Sequence, residues 1–116
     1  LYNYAAILNE NGQYDQSVII LNKALMKMDT YDIQILMADN YKKMEEFDLE
    51  ERYLKNAVQM CPNRFIPLYL LVKLYDKTNR KREALELAEL ILSKKIKVQS
   101  FTVKKIKADM YDYINL

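Results

Sequence analysis

Histidine is absent from the 116 residues, glycine and cysteine occur once each, and proline occurs twice. Without histidine, Ser–His and Cys–His nucleophile systems are excluded, and so are histidine-based metal sites. No glycine-rich loop and no acid pair announces a carboxylate mechanism, so no catalytic residue, metal or cofactor is expected. The lone Cys61 cannot form an internal disulfide, and its place between Met60 and Pro62 reads as a passive, partly buried thiol. No apolar run approaches the length of a membrane span. The sequence has neither an initiating Met nor a signal-like start, and a piece of a longer protein is expected.

What is present favours helices. Leu, Ile, Ala, Lys and Glu are abundant, and there are few residues that turn a chain sharply. Gly12-Gln13-Tyr14-Asp15 opens a helical apolar stripe that runs to Lys23-Ala24-Leu25. The pattern recurs 33 residues later, where Phe47-Asp48-Leu49-Glu50 leads to Lys55-Asn56-Ala57-Val58. A third copy runs from Lys81-Arg82-Glu83-Ala84-Leu85 to Leu90-Ile91-Leu92. Self-similarity at this period means stacked supersecondary units rather than one closed core. Charge is uneven along the stack. Residues 1–61 hold six Lys/Arg against ten Asp/Glu, and residues 77–107 hold ten against three.

Helical spacing places Leu1, Tyr4, Ala5 and Leu8 on one face, and Gly12 ends that helix. A second helix carries Tyr14, Val18, Leu21, Ala24, Leu25 and Met28, and Thr30 and Asp32 are both candidate N-caps for the third. The third shows Ile33, Met37, Ala38, Tyr41 and Met44 and ends at Glu45-Glu46. The fourth shows Phe47, Tyr53, Leu54, Ala57 and Val58 and stops at Cys61-Pro62-Asn63. The fifth has Pro67 in its first turn, then Leu68, Leu71, Val72 and Tyr75; apolar Leu70 and Leu74 predict burial on more than one side. After Thr78-Asn79-Arg80 the sixth runs through Ala84, Leu85, Leu87, Ala88, Ile91 and Leu92 to Lys94-Lys95. Ile96 to Gln99 reads as a linker, Ser100 as an N-cap, and Val103, Ile106, Met110 and Tyr113/Ile114 as the inner face of a last helix. That helix has no partner after it, so it is expected to cap the last unit. The expectation is an all-α chain of three helical hairpins (about 1–30, 31–63 and 64–95) with linker and capping helix over 96–116.

These residues resemble the tetratricopeptide repeat, a helix–turn–helix unit that stacks into an alpha-alpha superhelix. The resemblance covers about residues 1–95. Tyr14 and Phe47 match the aromatic that starts the second helix, Ala5 and Ala38 the small residue of the first, Ala24, Ala57 and Ala84 small residues of the second, and Pro62 the closing proline. Small side chains at those places permit close helix crossings. The departures are Ser17 and Glu50 where Ala is usual, Val72 for a small residue, Ile91 for Ala, Lys81 for the aromatic and Asp29 for Pro. Glu50 is expected to snorkel to solvent or find a partner.

A narrower similarity lies in Cys61-Pro62-Asn63-Arg64-Phe65-Ile66-Pro67-Leu68-Tyr69, Leu74-Tyr75-Asp76-Lys77-Thr78-Asn79-Arg80 and Ile96-Lys97-Val98-Gln99-Ser100. It resembles the repeats that follow the transmembrane part of O-antigen ligase/polymerase-like membrane proteins of Bacteroidetes. This resemblance implies the soluble part of a bacterial inner-membrane protein and carries over no catalytic residue.

Tetratricopeptide arrays bind peptides on a concave face lined by the first helix of each hairpin. The resemblance therefore implies a peptide-binding lining of Tyr2, Asn3, Ala6 and Asn9, then Ile35, Asp39 and Lys42, then Ile66, Tyr69, Lys73 and Lys77. Only Lys73 suits the carboxylate clamp of the chaperone-binding subclass, so tyrosine anchors beside charges are the expected chemistry. For each tyrosine singly, covering core between repeats explains it as well. Sugar stacking by the ten tyrosines ranks below both. The basic segment from Lys77 to Lys107 is read as a solvated, capping face, because Glu83, Glu86 and Glu89 interrupt it. An anionic membrane surface ranks above nucleic acid as a partner for it. Leu1 begins inside the first helix, and self-association is one way to cover that apolar end. The leading expectation is a non-enzymatic protein–protein interaction scaffold, and the alternative is an accessory domain of a glycan-assembly membrane protein.

Overall fold

Three inter-helix turns share one backbone geometry. The computed structural model describes residues 1–95 and 100–116, which contain seven α-helices and no strand. They are α1 (Tyr2–Glu10), α2 (Tyr14–Leu25), α3 (Tyr31–Lys43), α4 (Phe47–Met60), α5 (Ile66–Lys77), α6 (Lys81–Ser93) and α7 (Phe101–Ile114). The expected linker, Ile96 to Gln99, lies outside the described residues. Helix α1 ends with Gly12 at φ 81°, α3 with Glu45 at φ 58° and α5 with Asn79 at φ 62°. In each case the next amide reaches back five residues: Gln13 N to Leu8 O at 2.8 Å, Glu46 N to Tyr41 O at 2.9 Å, and Arg80 N to Tyr75 O at 2.7 Å. A left-handed residue followed by this long reach satisfies carbonyls that the helix end would otherwise leave bare.

Each turn closes an antiparallel hairpin, pairing α1 with α2, α3 with α4 and α5 with α6. The N-termini that begin the remaining elements follow the sequence signals. The Thr30 hydroxyl accepts from Ile33 N at 3.2 Å, and the Ser100 hydroxyl accepts from Val103 N at 3.1 Å. Pro67 sits in the first turn of α5, where a missing N–H costs nothing. By its contacts the chain divides into two compact units, Leu1–Pro62 and Asn63–Leu116.

In the first unit, α1, α2 and α3 meet around Ala5, Leu21, Ala24, Ile33 and Met37, with Val18, Leu25, Tyr41 and Tyr53 packed against them. Tyr41 and Tyr53 stack at 5.5 Å between ring centroids, linking α3 to α4. The inner face of α1 is turned from the expected one. Ala5, Leu8 and Asn9 are buried, whereas Leu1 and Tyr4 are more than half exposed, as is Ile7. Met28, expected on the stripe of α2, is exposed beyond that helix's end. On α1 the buried Asn9 belongs to a polar line through the core. Lys43 Nζ donates to Asn9 Oδ1 at 2.8 Å, and Asn9 Nδ2 donates to Asn40 Oδ1 at 2.9 Å. Asn40 Nδ2 then donates to the Ser17 hydroxyl at 2.9 Å, which donates to the Ala5 carbonyl at 2.7 Å. Ser17 therefore hydrogen-bonds inside the core, which an alanine at that position could not do. Gln34 makes a second polar tie: it donates to Asp29 Oδ1 at 2.7 Å and accepts from Asn56 at 3.0 Å. Glu50 does not snorkel; it is buried and takes the other expected course, an interaction within the fold.

In the second unit α5 is buried on several sides, at Leu68, Leu71, Val72, Leu74 and Tyr75, against Ala84, Ala88 and Ile91 of α6. Helix α7 packs on α6 and buries Ile106 and Met110. Lys107 Nζ donates to the carbonyls of Leu92 at 3.2 Å and Lys94 at 2.6 Å, so α7 supplies the cation at the C-terminus of α6.

Three substitutions are tested by equilibrium urea unfolding. Glu45→Gly is expected to stabilise the chain by about 1 kcal/mol, and Gly12→Ala to destabilise it by about the same amount, since a side chain at positive φ carries that strain. Nothing lies within 4 Å of a Cβ at Gly12, so the loss there is backbone strain alone. Asn40→Ala is expected to cost about 2–4 kcal/mol, because Asn9 and Ser17 each lose a buried partner. A change below about 0.5 kcal/mol for Asn40→Ala would contradict the polar line.

Candidate functional site

The helix spacing that builds the hairpins also decides which first-helix residues reach solvent. In the first unit, Tyr2 and Asn3 on α1 and Lys42 on α3 are exposed, while Ala6, Ile35 and Asp39 are half-buried. Burial, and next the charge of Asp32, hold the Tyr2 phenol above its ordinary value. Asn9 corrects the expected lining. It is only 4% exposed, and its amide donates to Asp39 Oδ2 at 3.0 Å and to Asn40 while its carbonyl accepts from Lys43. All its polar atoms serve the helix crossing, so it has nothing left to offer a peptide. Asp39 is likewise tied, with Lys43 Nζ at 2.9 Å.

In the second unit Ile66, Lys73 and Lys77 are exposed and Tyr69 is half-buried. Tyr69 and Lys73 lie one helical turn apart on α5, and the ammonium sits 4.7 Å from the centre of the tyrosine ring. Both border a cleft of about 360 Å³ between α5 and α7. Val72, Met110 and Leu116 give it apolar surface, and Asp76, Asp109, Asp112 and Tyr113 complete it. Two phenols bridge the helices across it. Tyr69 donates to Asp109 Oδ2 at 3.1 Å, and Tyr113 donates to Asp76 Oδ1 at 3.0 Å. Burial is the main cause that raises the Tyr113 phenol above its ordinary 10.0, followed by its hydrogen bond to Asp76 and the charge of that carboxylate.

The expected lining thus falls into two sets, one within each unit. The acidic half of the cleft was not foreseen from sequence. A signal existed in Tyr113, which falls on the inner face of α7. A phenol there needs an acceptor, and Asp76 stands one position past Tyr75 on the face of α5 that carries Tyr69 and Lys73. Among the described residues no group of three or more His, Cys, Asp or Glu is arranged to hold a metal ion. Nor is any helix there long and apolar enough to cross a membrane.

Fold and cleft define an all-helical protein of packed hairpins whose second unit carries an acidic, tyrosine-bordered cleft. No family model matches the chain, and no curated protein matches it.

The raised Tyr113 phenol has a measurable consequence. Above pH 10 the unfolded chain releases this proton while the folded chain retains it, so stability falls as pH rises through that range. Tyr113→Phe is expected to flatten part of that fall, and Asp76→Asn to bring the phenol back toward its ordinary range. Urea unfolding across that pH range checks the first and ultraviolet titration of phenolate absorbance the second. Tyr2 and Tyr41 are raised as well, so Tyr113→Phe is expected to lose one late-titrating phenol among several, and an undiminished late amplitude would refute the assignment.

Proposed function

We propose that this chain is a non-enzymatic interaction module whose hairpins are degenerate tetratricopeptide units of a superhelical array, and that it binds a protein or peptide partner. The observation that carries this reading is the open cleft of the second unit, where the first-helix residues Tyr69 and Lys73 meet polar groups of α7. The three like turns at Gly12, Glu45 and Asn79 support the repeat kinship. A half-buried phenol beside apolar and charged surface is the composition of an anchor site for a peptide. Ile66 and Lys77 are proposed as flanking contacts within the second unit, and Tyr2, Asn3, Ile35 and Lys42 as a separate set within the first. Asn9 is withdrawn from the set.

The similarity of residues 60–107 to repeats of O-antigen ligase/polymerase-like proteins keeps a second reading, an accessory domain that positions a glycan acceptor. A run of hydrophobic spans in the same reading frame would favour it.

Peptide binding is tested by display selection against the immobilised chain, followed by the triple variant Tyr2→Ala/Tyr69→Ala/Lys73→Ala. Loss of about tenfold or more in affinity for the selected peptides is expected, as for removal of aromatic anchors. Undiminished binding by the triple variant would sink the first-helix assignment.

A further inference from the structure

We propose that the cleft between α5 and α7 receives the side chain of an arginine from a partner peptide. This rests on the peptide-binding reading above and adds the chemistry of the residue that is read. The cleft has two kinds of surface. Val72, Met110 and Leu116 line it with apolar atoms; the first two are almost wholly buried and form its floor, and Leu116 is exposed and offers surface to a three-carbon stem. Asp76, Asp109 and Asp112 supply negative charge, opposed among the lining residues by Lys73 alone.

Two of the carboxylates are already oriented without being used up. Each accepts one phenol hydrogen bond, Asp76 from Tyr113 and Asp109 from Tyr69, and an ionised carboxylate has about four acceptor sites. Lys105 reaches Asp109 only at 3.8 Å, with its own side chain largely exposed, so that ion pair is weak and yields to a better donor. The Tyr69 ring already carries a cation, the Lys73 ammonium 4.7 Å from its centre, which an arriving guanidinium displaces or joins.

The arrangement discriminates among cations. The acids do not converge as metal ligands. Asp76 and Asp109 stand on different helices and are fixed by different phenols. A guanidinium has five donors in a planar fork and stacks on aromatic faces, so it can use the spare acceptor sites of a carboxylate and a tyrosine face together, a combination that a compact ammonium does not match. The volume, about 360 Å³, accommodates such a side chain at the lower end of ligand-pocket sizes. An anionic partner is disfavoured by the same carboxylates.

The test is an NMR titration of the full chain with the capped tripeptide Gly-Arg-Gly, its citrulline counterpart, which keeps the shape without the charge, and spermidine. The arginine peptide is expected to shift the resonances of Tyr69, Asp109 and Tyr113, and the citrulline peptide to leave them in place. Asp76→Asn/Asp109→Asn is expected to weaken binding roughly five- to thirtyfold, the loss of two partly exposed charge contacts. Asp112→Asn, which removes an exposed carboxylate that forms neither phenol bridge, is expected to weaken it a few-fold and carries the test if the double variant unfolds. Equal binding of the citrulline peptide would overturn the proposal. So would binding of spermidine without the arginine peptide, which assigns the cleft to a free amine. Display-selected peptides that bind wild type and the carboxylate variants alike would overturn it while leaving peptide binding intact; selection of no peptide at all would remove both.

Discussion

In each unit the first helix of one hairpin is tied by side-chain hydrogen bonds to the helix that begins the next element. In the first unit Asn9 of α1 donates to Asp39 and Asn40 of α3. In the second, Tyr69 of α5 donates to Asp109 of α7, and Tyr113 of α7 donates back to Asp76 of α5. Apolar burial is strong but has no direction, and the alanines at the crossings let helices slide. A directed bond fixes the register. Its net worth is only about 0.5–1.5 kcal/mol, yet stranding one buried partner costs about 1–3 kcal/mol, so the wrong register is penalised more than the right one is rewarded.

The same ties distribute the functional possibilities. In the first unit they consume Asn9 and occupy Asp39, leaving Tyr2, Asn3, Ile35 and Lys42 of the expected lining outside the ties. In the second they bridge a cleft and leave acceptor capacity on its carboxylates. The stretch from residue 77 to 107 is the basic part of the sequence, with ten Lys/Arg against three Asp/Glu. The acids of the cleft, Asp76, Asp109 and Asp112, all lie just outside that stretch. An overall positive charge therefore says little about the cleft, where short-range contacts in a partly desolvated space outweigh distant, screened lysines.

Helix existence and most boundaries were legible because they depend on local chemistry. Thr30 and Ser100 cap, Pro67 opens and Pro62 closes, and Gly12 turns, each for reasons visible within a few residues. The left-handed Glu45 was less legible, since a glutamate gives no local sign of positive φ, whereas Asn79 is a residue type that takes this conformation readily; the like reach of Glu46 and Arg80 shows the two turns to be equivalent. The turned face of α1 was missed for a physical reason. Hydrophobic periodicity counts Leu1 and Tyr4 as core and Asn9 as surface, and it cannot see that Asn40, 31 residues away, offers Asn9 a buried partner. The Tyr69 and Lys73 pair was foreseen from its helix face. Its acidic counterpart was not, because Asp109 lies 40 residues on and acquires meaning only when α7 docks.

The cleft depends on the two phenol bridges that tie α7, itself packed on α6 through Ile106 and Met110, to α5. Amide hydrogen exchange along the chain, compared between wild type and Tyr69→Phe/Tyr113→Phe, tests this most directly. In wild type the amides of α7 are predicted to be protected well above a fraying terminus. In the double variant their protection is predicted to fall by roughly a factor of ten or more, the loss of two part-buried bonds, while α1 to α4 stay unchanged. Protection of α7 that is absent in wild type, or unaltered in the variant, would contradict it.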